Sequence, residues 1–266
     1  MQVGLLPADA RQMAVGEAFA RKGWNVCWLK IGEPLPELIV LPMPVSENGI
    51  TMYGSDERLE DWWAYLRGKT VYGGRISLDL QQQAAEYNVR LLDHFDREEE
   101  VILNVIPTVE GALELAMAHT DFTLHGSAVL VCGFGRIGKL LAHHLQALGA
   151  KVCVSARKER DFAWCKALGY DYCHNAELPL VAPRQQLIFN TVPHLLFDKQ
   201  ILACLPDQTL LIDLASKPGG VDYKSVGGKR VLQALGLPGK VAPRTAGEII
   251  CETILGMYKE ENTRVR

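Results

Sequence analysis

The stretch from Ala128 to Gly149, AVLVCGFGRIGKLLAHHLQALG, constrains the fold more than any other part of the chain. A short apolar run ends in Gly133, Gly135 and Gly138, spaced GxGxxG, and passes directly into apolar residues at helical spacing. That order predicts strand, tight turn and helix. The first glycine permits the turn, the second lets a diphosphate approach the backbone, and the third lets helix and strand pack closely. The helix N-terminus, with Arg136 and Ile137 in its first turn, then faces the anion. A dinucleotide suits this arrangement. Three glycines among the 24 in the chain would mean little without the flanking strand and helix.

The residue that separates the two nicotinamide dinucleotides lies at the end of the next strand. A carboxylate there would bind the ribose 2'-hydroxyl. The sequence instead reads Ser155, Ala156, Arg157, Lys158. A hydroxyl and two cations match a 2'-phosphate, so NADP is expected over NAD. Later strand ends are marked as well: Asn190, Thr191, Val192 and Pro193 follow one apolar run, and Asp213 to Gly220 follow another. Ligands of open α/β sheets bind outside the carboxyl ends of the strands. Asn190, Thr191 and Pro193 are therefore expected along the cofactor, and Lys217 is expected to face the cleft as a carboxylate binder.

Upstream, Val3–Leu6, Trp24–Leu29, Glu37–Leu41, Thr70–Gly73 and Val89–Asp93 predict five short strands. Asp9 with Gln12 marks a capped helix start. Leu59, Trp62, Trp63 and Leu66 recur at helical spacing, so both tryptophans are expected in the core. The charge run Asp96–Glu100 reads as a solvated helix face or linker at a domain edge. Pro107–Thr120 predicts a helix bridging two domains. Strands are expected at Val152–Ser155, Leu187–Thr191, Thr209–Ala215 and Val231–Leu235. Thr245 with Glu248 marks a capping box for a last helix that buries Ile249, Ile250, Thr253, Ile254 and Met257 and returns to the first domain.

The fold class expected is α/β: two doubly wound, parallel-sheet, Rossmann-like domains joined by the bridging helix. A flavodoxin-like domain takes 1–105 with the C-terminal helix 245–266; the NADP-binding domain takes 106–244, including helix 107–120. A net charge of -3 offers no basic field for nucleic acid or an anionic membrane. Seven scattered cysteines without a CxxC pair point to buried thiols in a reducing cytosol. Neither a signal sequence nor an apolar run of about 18 residues is expected, and no metal site. Of seven histidines, His143 and His144 fall on the glycine-motif helix, while His119, His125 and His194 read as nearer the cleft. None shows a carboxylate partner in sequence.

The segments IPTVEGALELAMAHTDFTLHGSAVLVCGFGRIGK, FNTVP, LIDLASKPGGVDY and ALGLPGKVAPRTAGEII occur in order from about Val105 to Ile254. With them the chain resembles the A subunits of bacterial dipicolinate synthase. ADARQ, Ala8 to Gln12, is similar to that family's opening, although Pro7 and Ala8 stand where the family usually carries two glycines. Glu47–Gly68 resembles the family least. The resemblance implies a cytoplasmic oxidoreductase of the sporulating mother cell, acting on a CH–CH bond: it oxidises a dihydrodipicolinate to pyridine-2,6-dicarboxylate with NADP. It also implies the flavoprotein second subunit of dipicolinate synthase as partner in a hetero-oligomer; homo-oligomerisation is expected too. A dianionic substrate calls for paired donors. The candidates are Arg11, Arg75, Thr108 and Lys217 for binding, with Glu110 and Lys217 for catalysis. Glu110 would take the proton or orient a neighbour. The alternatives are a two-domain dehydrogenase of a hydroxy or amino acid, and a non-catalytic NADP-binding subunit of a flavoprotein complex.

Overall fold

The computed structural model describes residues 1–264, so the last two residues of the expected helix 245–266 lie outside the described residues. The chain forms two compact units: Met1–Asn104 together with the segment from Pro238 onward, and Val105–Leu237.

In the first unit, strands β1 (Gln2–Leu5), β2 (Asn25–Trp28), β3 (Leu38–Val40), β4 (Thr70–Gly73) and β5 (Arg90–Asp93) form a parallel sheet in the order β2-β1-β3-β4-β5. This is the flavodoxin-like order, with its switch point between β1 and β3. Its helices include α1 (Ala10–Arg21), α2 (Leu59–Tyr65), α3 (Leu78–Glu86), α4 (Glu98–Leu103), a short helix over Leu237–Val241 and the C-terminal helix Pro243–Arg264. The Asp9 carboxylate caps α1 by accepting the Gln12 N–H at 3.0 Å. Trp62 and Trp63 are both 1% exposed and sit in a core with Leu41, Val45, Leu66 and Val71. Indoles of this kind bury roughly 150–250 Å² each. The C-terminal helix packs on α1, placing Ile250, Cys251, Ile254 and Met257 among Val3, Leu5, Val15 and Phe19.

Two expectations change here. The C-terminal helix starts at Pro243, where a missing N–H costs nothing, so Thr245 lies inside it and caps nothing. Glu248 instead accepts from Arg21 at 2.9 Å and Arg244 at 3.2 Å. Nor is Asp96–Glu100 only a solvated run: Glu98–Leu103 is helical, and Glu100 is fully buried.

The second unit runs α5 (Val105–Ala118), β6 (Ala128–Cys132), α6 (Arg136–Ala147), β7 (Lys151–Ala156), α7 (Glu159–Leu168), β8 (Asp171–His174), α8 (Leu178–Val181), β9 (Leu187–Asn190), α9 (Lys199–Cys204), β10 (Leu210–Asp213) and β11 (Arg230–Gln233). The parallel sheet has the order β11-β10-β9-β6-β7-β8, the dinucleotide-binding arrangement, with its switch point between β6 and β9. β8 is a strand beyond those expected. It stands at the sheet edge and buries only Cys173, so Asp-Tyr-Cys-His carries no apolar run to announce it. Contrary to the expectation of no long apolar stretch, Glu98–Ala118 is long and apolar enough to cross a membrane by length and composition. It is interrupted at Asn104, and Val105, Val109, Ala112, Leu113 and Ala116 belong to the second unit's core. Pro107 falls in the first turn of α5, where its missing donor is unneeded.

Gly247 sets the approach of the C-terminal helix to α1. A Cβ there would lie 2.6 Å from the Ala14 carbonyl carbon and 2.7 Å from the Val15 nitrogen. Alanine would add about 1 kcal/mol of helix propensity, but overpacking against backbone costs about 1–3 kcal/mol. Gly247→Ala is therefore expected to lower the urea midpoint of unfolding; a raised midpoint would show that the helices separate freely.

Candidate active site

In the second unit the glycine loop is fixed by its neighbours. Gly133 has φ +93°, donates its N–H to the Ser155 carbonyl at 2.8 Å, and leaves no room for a Cβ, which would fall 2.5 Å from Thr191 Oγ1. Gly138 packs on the Gly133 carbonyl, and any Cβ would collide with that oxygen. Gly135, the N-cap of α6, has open space where its Cβ would stand. The cradle thus fits a dinucleotide diphosphate: closed where helix meets strand and open where the anion would approach. Arg136 is exposed and Ile137 half-buried in the first turn of α6.

The other expected cofactor residues divide into two groups. Arg157 and Lys158 are exposed at the end of β7, beside the glycine loop. Thr191 is half-buried and donates its hydroxyl to the Cys132 carbonyl at 2.8 Å, and Pro193 is exposed beyond it. Ser155 and Asn190, by contrast, are fully buried, with their side chains used inside the protein. Ser155 Oγ donates to Asn175 Oδ1 at 2.6 Å. Asn190 Nδ2 donates to Asp213 Oδ1 at 2.8 Å and to the Val192 carbonyl at 3.1 Å, while Oδ1 accepts the Val192 N–H. In this structure the side chains of both residues are spent on hydrogen bonds within the protein that shape the adjoining loops.

Asp213 anchors the same edge. Its buried carboxylate accepts from Asn190, from the Ala215 N–H at 3.2 Å and from the Tyr223 hydroxyl at 2.9 Å. Burial, then the bond to Asp213, push the Tyr223 hydroxyl up. Gly220 has no room for a side chain because Asn190 Nδ2 occupies the space. Lys217 is exposed on the loop that this network supports. Glu110 is exposed and Thr108 half-buried on α5.

The first unit gathers two of the substrate candidates. Arg11 donates to Asp9 Oδ2 at 3.0 Å and to the Met43 carbonyl, which follows β3. Arg75 follows β4, and its guanidinium stands 5.2 Å from the centre of the Phe95 ring. The surrounding protein and then the charge of Arg11 lower the Arg75 guanidinium, with Asp93 pulling it up. Two cations therefore share the carboxyl edge of β1, β3 and β4.

The structure also holds a histidine–carboxylate pair that sequence reading missed. His94 Nδ1 lies 2.8 and 2.9 Å from the Glu100 oxygens, and both side chains are 1% exposed. The spacing His94 to Glu100 was the available signal, obscured by the neighbouring exposed acids. His119 and His125 are not near the carboxyl ends. His125 packs against Gly149, and the His119 carbonyl accepts from Arg230, both at the amino edge of the sheet. His194 alone of the three follows a strand's carboxyl end. Among the described residues no group of His, Cys, Asp and Glu is placed to hold a metal ion.

Residues 108–219 match the family model of the D-isomer specific 2-hydroxyacid dehydrogenase, NAD binding domain. The chain is 38% identical over 192 residues to the dipicolinate synthase A subunit of Bacillus subtilis (strain 168), a match covering 71% of this chain and 65% of that protein. The crystal structure of the dipicolinate synthase A subunit from Bacillus halodurans superposes with a TM-score of 0.86 at 31% identity, covering 96% of this chain and 97% of the other. The corresponding Bacillus subtilis crystal structure gives 0.87 at 30% identity, covering 99% and 97%. Similarity of this extent, through both units, places the chain in the family of dipicolinate synthase A subunits.

Proposed function

We propose that this protein oxidises a dihydrodipicolinate to pyridine-2,6-dicarboxylate with NADP as hydride acceptor, in the cytoplasm of a sporulating mother cell and together with a flavoprotein second subunit. Membership of the dipicolinate synthase family and the match to a dehydrogenase's NAD-binding domain support a nicotinamide-dependent oxidoreductase. The observation that carries the specific reading is the pair Arg11 and Arg75 at the carboxyl edge of one sheet: Arg11 donates to the Met43 carbonyl, and the Met43 side chain packs against Gly74, the residue before Arg75. Guanidinium suits carboxylates geometrically, and a dicarboxylate offers two.

Gly133, Gly135 and Gly138 with the start of α6 hold the diphosphate, and Arg157 with Lys158 takes the 2'-phosphate. Thr191 and Pro193 line the cofactor on a loop held in shape by Asn190 and Asp213. When bound, the nicotinamide ring supplies the hydride acceptor. In the first unit Arg11 and Arg75 bind substrate carboxylates; in the second, Thr108 and Lys217 are further candidates for carboxylate binding and Glu110 for the proton released as the ring becomes aromatic. Oxidation of a 2-hydroxy acid is the second reading, favoured by the 2-hydroxyacid dehydrogenase family match and the His94–Glu100 pair. That pair is sealed from solvent, which weighs against its use as a base on a bound alcohol.

Purified protein with NADP and enzymatically generated dihydrodipicolinate is expected to produce NADPH absorbance; no turnover even with the flavoprotein partner present would refute the reaction. Replacing Arg157 and Lys158 together with glutamine is expected to weaken NADP by about 10–100-fold, the scale of one or two charge-assisted hydrogen bonds, with NAD changed less than about threefold. Equal losses would remove them from the 2'-phosphate. Lys217→Ala is expected to cut kcat/KM for the substrate by about tenfold or more while NADP affinity holds within about twofold; lost cofactor binding would assign Lys217 to the cofactor instead.

A further inference from the structure

Arg75 has φ +56°, a left-handed conformation that residues with a Cβ rarely adopt and that persists only where the surroundings enforce it. The enforcing groups come from one segment of chain, Asp93 to Glu100. Both oxygens of Asp93 are engaged: Oδ1 accepts the Arg75 N–H at 3.1 Å and the Phe95 N–H at 2.8 Å, and Oδ2 accepts the Ile76 N–H at 2.7 Å. The carboxylate grips two consecutive amides of the Arg75 turn.

His94 supports the turn from beneath. A Cβ on Gly74 would fall 2.8 Å from His94 Cε1, so the imidazole lies against the backbone just before Arg75. Glu100 fixes that ring through Nδ1. Phe95, next along the segment, puts its ring under the guanidinium. The other neighbour of Gly74 is Met43, whose Sδ would stand 2.7 Å from that same Cβ and whose carbonyl accepts from Arg11. One packed unit therefore carries both arginines. The buried His94–Glu100 hydrogen bond satisfies both polar side chains away from water, and such a satisfied buried pair holds its neighbours in one geometry.

We propose that Asp93, His94 and Glu100 are positioning residues for the substrate: they lock the Arg75 turn so that its guanidinium and that of Arg11 converge on one dicarboxylate. This rests on the reading that Arg75 binds a substrate carboxylate. Neither Asp93 nor the buried pair touches the substrate, and their effect passes through Arg75.

A double-mutant cycle on the full chain tests this, with pyridine-2,6-dicarboxylate binding followed by calorimetry and NADP binding measured in parallel. Asp93→Asn and Glu100→Gln keep volume and one acceptor, and Phe95→Leu relaxes the guanidinium without entering the buried pair. Each is expected to weaken the dicarboxylate by about tenfold with Arg75 present, the scale of one lost hydrogen bond to a charged group, and by less than about twofold in the Arg75→Ala background. NADP binding stays constant throughout. Equal losses with and without Arg75, or no loss in any of the three variants, overturn the positioning role. If Arg75→Ala alone leaves dicarboxylate binding intact, the assignment of Arg75 to the substrate falls and the positioning role with it. NADPH production by the unsubstituted protein reads the proposed reaction independently.

Discussion

Parallel pairing is the constraint on which the rest of the molecule depends. Parallel neighbours cannot be joined by a tight turn, so each connection must cross over a face of the sheet and every strand points the same way. In both units the carboxyl ends of all strands therefore gather on one edge, and almost every residue with chemical potential follows one of them. Gly133 follows β6, Arg157 follows β7, Thr191 follows β9, Lys217 follows β10 and Arg75 follows β4. Distance along the chain ceases to matter.

The two units reach that end with different glycine and charge patterns but with one shared device. In each, a strand closes on an acid whose carboxylate organises the adjoining loops. Asp213 ends β10 and collects an amide side chain, a backbone N–H and a phenol. Asp93 ends β5 and collects three backbone N–H groups. Burial pushes the Asp93 carboxyl up while the Ile76 and Phe95 amides pull it down. An unsatisfied carboxylate at such a site would be costly, so saturation by donors is what permits the acid there at all. The donors are loop atoms, and satisfying the acid gives the loops their shape.

Sequence alone revealed the parts that rest on local or periodic signals. The glycine spacing announced the β6–α6 turn, Asp9 with Gln12 announced the start of α1, and the tryptophan stripe announced a buried helix face. It was silent where burial is decided by tertiary packing. Glu100 sits among exposed acids and differs from them only because the helix turns it toward His94. Edge position hides β8, where only Cys173 is buried. Ser155 and Asn190 stand at strand ends, and only the packing shows that both side chains are buried and bonded to neighbouring loops. The resemblance of the later motifs to dipicolinate synthase A subunits identified the family; the polar interior of the first unit required coordinates.

The packing of the C-terminal helix against α1 at Gly247 has a consequence for biosynthesis. The first unit's core draws Val3, Leu5 and Phe19 from one end of the fold and Ile250, Ile254 and Met257 from the other. All of Val105–Leu237 is translated between them. On the ribosome the second unit can close while the first still lacks the helix that completes the core around Val3, Leu5, Val15 and Phe19. The arginine-bearing half of this protein is thus completed second, although it is begun first.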